Sequence, residues 1–381
     1  MTGDARPRTG IRARRVSAAD VARRAGVSAA TVSYALNGRP GVSPEVRARV
    51  LATAAELGHP LDRYERTLEP EPSRVLGLVL TDISNPFYSE FSAGTIDIAR
   101  AQGYEVFVAH TQESSPTLDT VVRTMIARRV DGMVLTSLHT DDGDAIRTLR
   151  RAEMPFVQVS RRIPGLRADF IGVDEAALSS EILRHLLGHG YTDLAIITGS
   201  QSSSSSAERA RTFVATAAEL GVPLPPHRRF IAFLNAEGGR RVAQHLIDAD
   251  DVPRAIACGS DAIASGVIGT LREHDIRVPD DVAVTGIDGV FPGASMLAEL
   301  TTITLARRAM AQSAVEQLIR RIDGHGGTAL VETVPHTLRI GTSCGCPRSS
   351  MTVPGRSGRR ALPGPRRGGL DRSATGPAGA R

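Results

Sequence analysis

Two sets of side chains in this sequence have types and spacings suited to recognition chemistry. In VSAADVARRAGVSAATVSYALN, from Val16 to Asn37, the hydroxyls of Thr31 and Ser33 suit phosphate oxygens, and the Tyr34 phenol can donate or accept at a base edge. Ala29 and Ala30 offer only methyl contact, for example with a thymine methyl. Ser17, Ser28 and Asn37 complete this expected polyanion-facing set. The second set stands where apolar runs end: Asp82 with Asn85, Pro86 and Phe87, then Ser160, Asp174, Ser200 to Ser206, Leu234, Ser260 with Asp261, and Asp288. Carboxylates, amides and hydroxyls that converge beside a few apolar walls suit a small polar ligand. Taken singly, each strand-end Asp is more often the cap of the next helix, so it is their convergence at every strand end that favours a site.

Bond-making chemistry finds little support. All 46 Lys and Arg positions are arginine. Without lysine there is no Walker phosphate loop, no Schiff base and no pyridoxal phosphate linkage. Gly341-Thr-Ser343-Cys-Gly345 fits the G-x-S-x-G pattern of a nucleophile elbow, but that elbow needs an acid and then a histidine downstream, and no histidine follows His336. His185 and His189, four apart, can share a metal on one helix face. A third ligand at suitable spacing is missing, and contact with the negative end of a helix dipole is the plainer account. Cys258, Cys344 and Cys346 are too few and too badly spaced for a disulfide framework or a four-ligand zinc site. Cys258 reads as a small core residue, and Cys344 with Cys346 as a surface thiol pair without a role. No metal, cofactor or catalytic residue is expected.

The first set must be positioned by helices. Ser17 can cap a helix that begins at Ala18, with Asp20 returning the bond in a capping-box spacing. Val21, Ala22 and Ala25 give it an apolar face, Gly26 breaks it, Val27 plugs the turn, and Ser28 caps a second helix from Ala29 to Leu36. Such a pair is either an ordinary helical hairpin or a helix-turn-helix, whose second helix enters the major groove of duplex DNA while the first crosses the phosphates. A third helix starts at Ser43, with Pro44 at its first position, and runs to Leu57 before Gly58. Its Val46, Val50, Leu51, Ala54 and Leu57 recur at helical spacing and can close a three-helix core.

The second set must be positioned by parallel strands. From Arg74 to about Asp174 the runs RVLGLVLTD, YEVFVAHT, VDGMVLTS and PFVQVSR alternate with helical patterns, and from Asp174 to Asp288 the scheme repeats with DLAIITGS, RFIAFLN, AIACGSD and DVAVTGID. These short apolar runs predict strands buried on both faces, and the helices between them predict parallel crossovers. The helix after DLAIITGS is predicted to start at Ala207, which leaves the serine run either as hydroxyl-rich ligand contact or as a low-complexity loop. LTTITL and the helix after Arg307 are predicted to return through the first lobe, and ALVETVPHTLRI to add a final strand pair to the second. Two doubly wound lobes in tandem make one cleft beyond the carboxyl ends of their strands.

The net charge of +5 conceals an asymmetry. Residues 1–74 carry 13 Arg against 8 acids and residues 347–381 carry 8 Arg against 1, which leaves about −7 for the middle. A basic head on an acidic body fits a polyanionic partner that touches only the head. At 381 residues, 41% of them hydrophobic, the chain exceeds one typical domain and can bury a sizeable core. No apolar run approaches the roughly 20 residues that span a bilayer, and the N-terminus lacks an apolar signal core. A cytoplasmic protein with no membrane partner is expected.

DVARRAGVSAATVSYALNG, VSPEVRARVLATAAELG and SRVLGLVLTDISNPFYSEF resemble the lactose/galactose repressor (LacI/GalR) family of bacterial transcriptional regulators, colinearly from Val16 to about Ser343. The resemblance implies an α/β fold: a three-helix helix-turn-helix head, then two tandem doubly wound α/β lobes of the periplasmic-binding-protein type. The corresponding boundaries are a disordered basic arm at 1–15, a DNA-binding domain at 16–60, a hinge or linker at 61–73, an effector-binding core at 74–346 and a disordered basic tail at 347–381. Within the core, lobe 1 takes about 74–172 and 305–325, and lobe 2 about 173–304 and 326–346.

By the same resemblance, Leu68 wedges into the minor groove at the operator centre. Glu65, Glu69, Pro70 and Pro72 depart from the family's pattern there and leave a plain linker open. Arg209 aligns with the family's effector-binding arginine and Asp288 with an aspartate that closes a strand. With Phe87 and Leu234 as apolar walls they suit a sugar or a related metabolite. Ser260 replaces an asparagine common in the family, so the effector's identity stays open. The implied function is a DNA-binding regulator, a repressor in the commoner family outcome, that holds a pseudo-palindromic double-stranded operator as a homodimer under control of a small effector in the cleft. A solute-binding module would share the two lobes but lack the helix-turn-helix. An enzyme would need a nucleophile, metal set or phosphate loop.

Overall fold

A computed structural model describes residues 16–36, 41–59, 72–290 and 299–350. The expected basic arm, Asn37, the hinge residues around Leu68 and positions 351–381 of the basic tail lie outside the described residues. The chain divides into two compact units, Met1–Ser73 and Arg74–Arg381.

In the first unit α1 (Ala18–Ala25), α2 (Ala29–Leu36) and α3 (Pro44–Glu56) each start on a serine cap. The Ser17 amide donates to Asp20 at 3.0 Å and the Asp20 amide returns to Ser17 Oγ at 3.4 Å, the expected capping box. Gly26 then stops α1 at φ 67, a left-handed turn that a side chain would disfavour by roughly 1–2 kcal/mol. The Thr31 amide donates to Ser28 Oγ at 3.0 Å to open α2. Val21, Ala25, Val32, Leu36, Val50 and Ala54 close the core between the three helices.

Two six-stranded sheets make the second unit. The first draws on β1 (Val75–Leu80), β2 (Glu105–His110), β3 (Gly132–Leu135), β4 (Phe156–Val159) and β5 (Asp169–Gly172), with α4 (Pro86–Ala101), α5 (Ser115–Ala127) and α6 (Gly143–Arg151) as crossovers. The chain continues through α7 (Glu175–Leu187), β6 (Leu194–Thr198), α8 (Ser204–Glu219), β7 (Arg229–Ile231), α9 (Ala236–Asp248), β8 (Ala255–Cys258), α10 (Asp261–Glu273) and β9 (Ala283–Asp288). It ends with β10 (Thr301–Leu305), α11 (Arg307–Ile322), β11 (Val331–Thr333) and β12 (His336–Arg339). The strand orders are β11-β5-β4-β3-β1-β2 and β12-β10-β9-β8-β6-β7. Pairing is parallel throughout except between β10 and β12. Where α9 crosses α10 the backbones nearly touch: a Cβ on Gly266 would sit 1.9 Å from the Ala236 carbonyl oxygen, so only glycine fits.

The returns between lobes differ from expectation. β10, which carries LTTITL, pairs beside β9 in the second sheet, whereas α11 packs on α4 in the first lobe as expected. The final strands are divided: β11 extends the first sheet beside β5, and only β12 joins the second. The chain changes lobe at Val334-Pro335, where a proline cannot continue a hydrogen-bonded ladder. β5, in the short mixed run ADFIGV, was not anticipated as a strand. Nor are β2 and β7 buried on both faces, because they are sheet edges; Phe107 is 49% and Ile231 63% exposed. α8 starts at Ser204 rather than Ala207, because Ser203 accepts from the Ser206 amide and turns the serine run into a helix start. Among the described residues, no helix is long and apolar enough to cross a membrane.

Candidate functional site

On α2 the side chains of Ser28, Ala29, Ala30, Ser33 and Tyr34 are exposed, while Val32, Ala35 and Leu36 turn into the core. Thr31 is half-buried, its hydroxyl 2.8 Å from Ser28 Oγ. The outer face of this helix therefore offers the hydroxyls, methyls and phenol that a groove-reading helix needs. Ser17 is exposed and occupied as the cap of α1. Arg23 and Arg24, both exposed in the last turn of α1, add positive charge that the sequence reading did not single out.

In the second unit, carboxyl ends of strands from both lobes meet across a cleft, and its polar groups form two clusters. The first is built around Arg209, 5% exposed on α8. Its guanidinium donates to Glu175 from Nε at 2.7 Å and from Nη2 at 3.1 Å, and to the Gly259 carbonyl at 2.5 Å. Asp288, at the end of β9, stands 4.0 Å away. Burial pushes the Asp288 carboxyl up to about 7, helped by the charge of Glu175 and opposed by Arg209 and Arg307. Arg209 and Asp288 thus lie together within the second lobe rather than across the cleft, and Glu175, which takes most of the arginine's fork, was missed. Its neighbour Asp174, expected at the site, instead caps α7 by accepting from the Ala177 amide at 2.9 Å. Ser260 is likewise a cap, buried, accepting from Ile263 at the start of α10.

The second cluster lies beyond β2, β3 and β4. Arg161, only 1% exposed, grips Glu113 with two nitrogens at 2.7 and 2.8 Å. His139 Nε2 reaches the same carboxylate at 2.7 Å, and its Nδ1 lies 2.8 Å from the Ser202 hydroxyl of the other lobe. With Nε2 protonated toward Glu113, Nδ1 is the acceptor for Ser202. Burial alone would raise the Glu113 carboxyl, but the bonds from Arg161 and His139 outweigh it and hold it at about 2. None of Glu113, His139 or Arg161 was foreseen. The sequence signal lies one residue away, at Ser160, which follows β4. Ser160 takes φ 64 and lines a different hollow of about 740 Å³, with Arg162, Asp174 and Glu175.

Two adjoining cavities open between the lobes. One, of about 260 Å³, is lined by Asn85, Tyr88, Gln112, Glu113 and Leu234 among others; the next, of about 460 Å³, shares Glu113 and Leu234 and adds His139, Ser200 and Arg241. Asn85 spans the lobes, its amide donating to the Leu234 carbonyl at 2.9 Å while its oxygen caps α4. Phe233, 60% exposed, lines both cavities beside Leu234. Phe87 lines neither: it is buried, stacked on Phe91 and edge-on to Tyr88, so the expected apolar wall at that position is a core residue and Tyr88 faces the cleft instead. Tyr88 also links the clusters. Burial raises its phenol, and the charges of Arg161, Glu113 and Asp288 all reach it.

Two family models match the chain: bacterial regulatory proteins, lacI family, over residues 18–60, and the periplasmic binding protein-like domain over residues 183–344. Among curated relatives, the HTH-type transcriptional repressor PurR of Glaesserella parasuis is 27% identical over 323 residues, covering 84% of this chain and 94% of that protein. The ribose operon repressor of Haemophilus influenzae is 29% identical over 308 residues, covering 80% of this chain and 91% of that protein. Among solved structures, a CelR–cellobiose complex superposes with a TM-score of 0.65 at 24% identity, covering 86% of this chain and all of that one. The lac repressor dimer bound to operator and an anti-inducer gives 0.64 at 23% identity, covering 87% of this chain and 99% of that one.

Proposed function

Because this chain belongs to the lacI family of bacterial regulatory proteins, we propose that it is a transcriptional repressor whose hold on duplex DNA is set by a small polar metabolite bound between its lobes. The observation that carries the DNA half is the outer face of α2, where Ser28, Ala29, Ala30, Ser33 and Tyr34 stand exposed on a helix fixed by three-helix packing. Side chains so placed reach base edges and phosphates when the helix lies in the major groove. Two such heads on a homodimer would read a pseudo-palindrome, half-site by half-site. The exposed Phe107 and Val108 on the edge strand β2 suit a contact between protomers.

The ligand half rests on the interlobe cavities. Asn85, Gln112, Glu113, His139 and Ser200 offer donors and acceptors, and Tyr88, Phe233 and Leu234 offer apolar surface. That mixture fits a polyhydroxylated molecule, whose hydroxyls need partners and whose ring faces need flat apolar cover. The relatives include proteins named for ribose and one crystallised with cellobiose, which makes a sugar the first class to test. Ligand occupancy would bias the angle between lobes, and DNA affinity would respond reciprocally.

The experiment is an anisotropy titration of the full chain on its own upstream DNA. Binding should weaken steeply with salt and shift when a sugar that raises the melting temperature is added. Tyr34→Ala should relax discrimination among operator variants by about 1–3 kcal/mol if the phenol bonds a base edge. Equal affinity for all variants, before and after that substitution, would refute the reading of Tyr34, and absence of DNA binding would refute the whole.

A further inference from the structure

The C-terminal end of α7 meets the turn that follows β12, on the second lobe. His185 lies in the last turn of α7, and His189 follows Gly188, which ends that helix. Cys344 and Cys346 flank Gly345 in the turn. The two imidazoles and two thiols each offer one donor atom, and these four atoms lie within 4.8 Å of one another. His185 Nε2 is 3.3 Å from Cys344 Sγ and 3.7 Å from Cys346 Sγ, and His189 Nε2 is 3.4 Å from Cys346 Sγ. We propose that His185, His189, Cys344 and Cys346 form a structural zinc site that fastens the turn after β12 to the end of α7.

The dimensions fit the ion. Donors held at about 2.1 Å for nitrogen and 2.3 Å for sulfur define a tetrahedron with edges of about 3.4–3.8 Å, close to the three nitrogen–sulfur separations above, and the other pairs would close from at most 4.8 Å. The donor set fits as well, because two thiolates with two imidazoles select zinc over the hard cations that carboxylates and carbonyls hold. All four positions are filled by protein, which makes the site structural rather than catalytic. The ligands are graded in exposure. Cys344 is buried, His185 and Cys346 are half-buried and His189 is exposed, so an ion can enter from the His189 side.

Neighbouring groups support the arrangement. Thr301 Oγ1 donates to Cys344 Sγ at 3.0 Å, as a hydroxyl does toward a metal-bound thiolate, and Tyr191 donates its phenol to the Cys344 carbonyl at 3.2 Å. Gly345 takes φ 101, and a Cβ there would fall 2.9 Å from the Tyr191 oxygen and 3.7 Å from His189 Nδ1. The glycine is what lets the two cysteines that flank it turn both sulfurs toward the histidines. This corrects the sequence reading on two counts: Cys344 and Cys346 are not an idle surface pair, and the ligands missing for His185 and His189 come from more than 150 residues away.

The test uses the full chain, expressed without a polyhistidine tag, loaded with zinc, dialysed and assayed for metal. One zinc per chain is expected, and cobalt(II) in its place should give the intense visible bands of tetrahedral coordination with a thiolate-to-metal band in the near ultraviolet. His189→Ala and Cys346→Ser change the outer ligands, where folding is least at risk, and circular dichroism should confirm that helix content is kept. Each should lower retained zinc at least tenfold and abolish or alter the cobalt spectrum. Chelator should lower the melting temperature of the parent and leave that of the Cys346→Ser variant unchanged. Less than a tenth of an equivalent in the reduced parent, with cobalt showing only octahedral colour, would overturn the site. So would full zinc retention in both variants, or thiol titration that finds Cys344 and Cys346 joined as a disulfide that takes up no zinc after reduction.

Discussion

Glu113 and Asp288 stand beyond strand ends in different lobes, each beside a nearly fully buried arginine, and they titrate in opposite directions. Glu113 receives both nitrogens of the Arg161 fork plus His139, and its carboxyl is held at about 2 despite burial. Asp288 lies 4.0 Å from an Arg209 whose fork is already committed to Glu175 and the Gly259 carbonyl, and burial lifts it to about 7. Proximity to an arginine is therefore not what fixes a buried carboxylate's charge. Aim decides, because only a donor pointed at the oxygens offsets their loss of water.

The largest effect should come from taking the charge out of the first pair. Glu113→Gln leaves Arg161, 1% exposed, without its counter-ion, and breaking a buried pair from one side costs about 3–5 kcal/mol. Urea unfolding followed by circular dichroism measures it, since the chain has no tryptophan to report by fluorescence. A loss under about 1 kcal/mol would mean that Arg161 finds water or another partner, and the contrast with Asp288 would collapse.

Asp288→Asn should do the reverse. A carboxyl whose folded value is raised binds its proton more tightly in the native state, so its favourable contribution is whole below the unfolded value and is lost as pH rises toward about 7. At about 1.4 kcal/mol per unit, the loss between the ordinary carboxylate value and 7 is on the order of 4 kcal/mol. The asparagine variant, neutral throughout, should match the parent near pH 4.5 and exceed its stability by about 2–3 kcal/mol at pH 8. Glu113 contributes in the opposite sense: its stabilisation is present above the ordinary glutamate value and is lost as pH falls toward about 2. Parallel pH profiles for the parent and Asp288→Asn would show that Asp288 is charged in the folded protein at every pH tested.

The same contrast explains what was legible in the sequence. The helix-turn-helix could be read residue by residue because Ser17, Asp20, Gly26 and Ser28 act on neighbours within four positions. The central strands could be read because VLGLVL and LAIIT are buried on both faces and admit only apolar residues. The cleft was harder to read. Strand ends were singled out, but the chain turns sharply where it leaves a strand, with Ser160 at φ 64 and Glu175 already in the first turn of α7, so a displacement of one residue exchanges Ser160 for Arg161 and Asp174 for Glu175. β5 was hidden because it is only four residues long, and β11, expected as a strand, was assigned to the wrong sheet because its three residues carry no signal of their partner. The thiol and imidazole pairs each left a local trace in their spacing, but nothing local joined them, since the two halves meet only when β12 packs against α7.

The smallest of these effects sharpens the comparison by asking whether the Glu113 cluster belongs to one lobe or to both. Among the described residues, the side-chain link of this cluster across the cleft is Ser202 to His139 at 2.8 Å. A neutral hydrogen bond of this kind contributes about 1 kcal/mol net. Ser202→Ala removes the donor while Glu113 keeps both nitrogens of Arg161, so global stability should fall by no more than about 1 kcal/mol. Closure of the lobes, however, is an equilibrium between states a few kcal/mol apart, and a bond made only across the cleft acts wholly on it. Small-angle scattering of the Ser202→Ala variant should therefore report a larger radius of gyration than the parent's, restored by a ligand that bridges the lobes. An unchanged radius would place the cluster's role entirely within the first lobe.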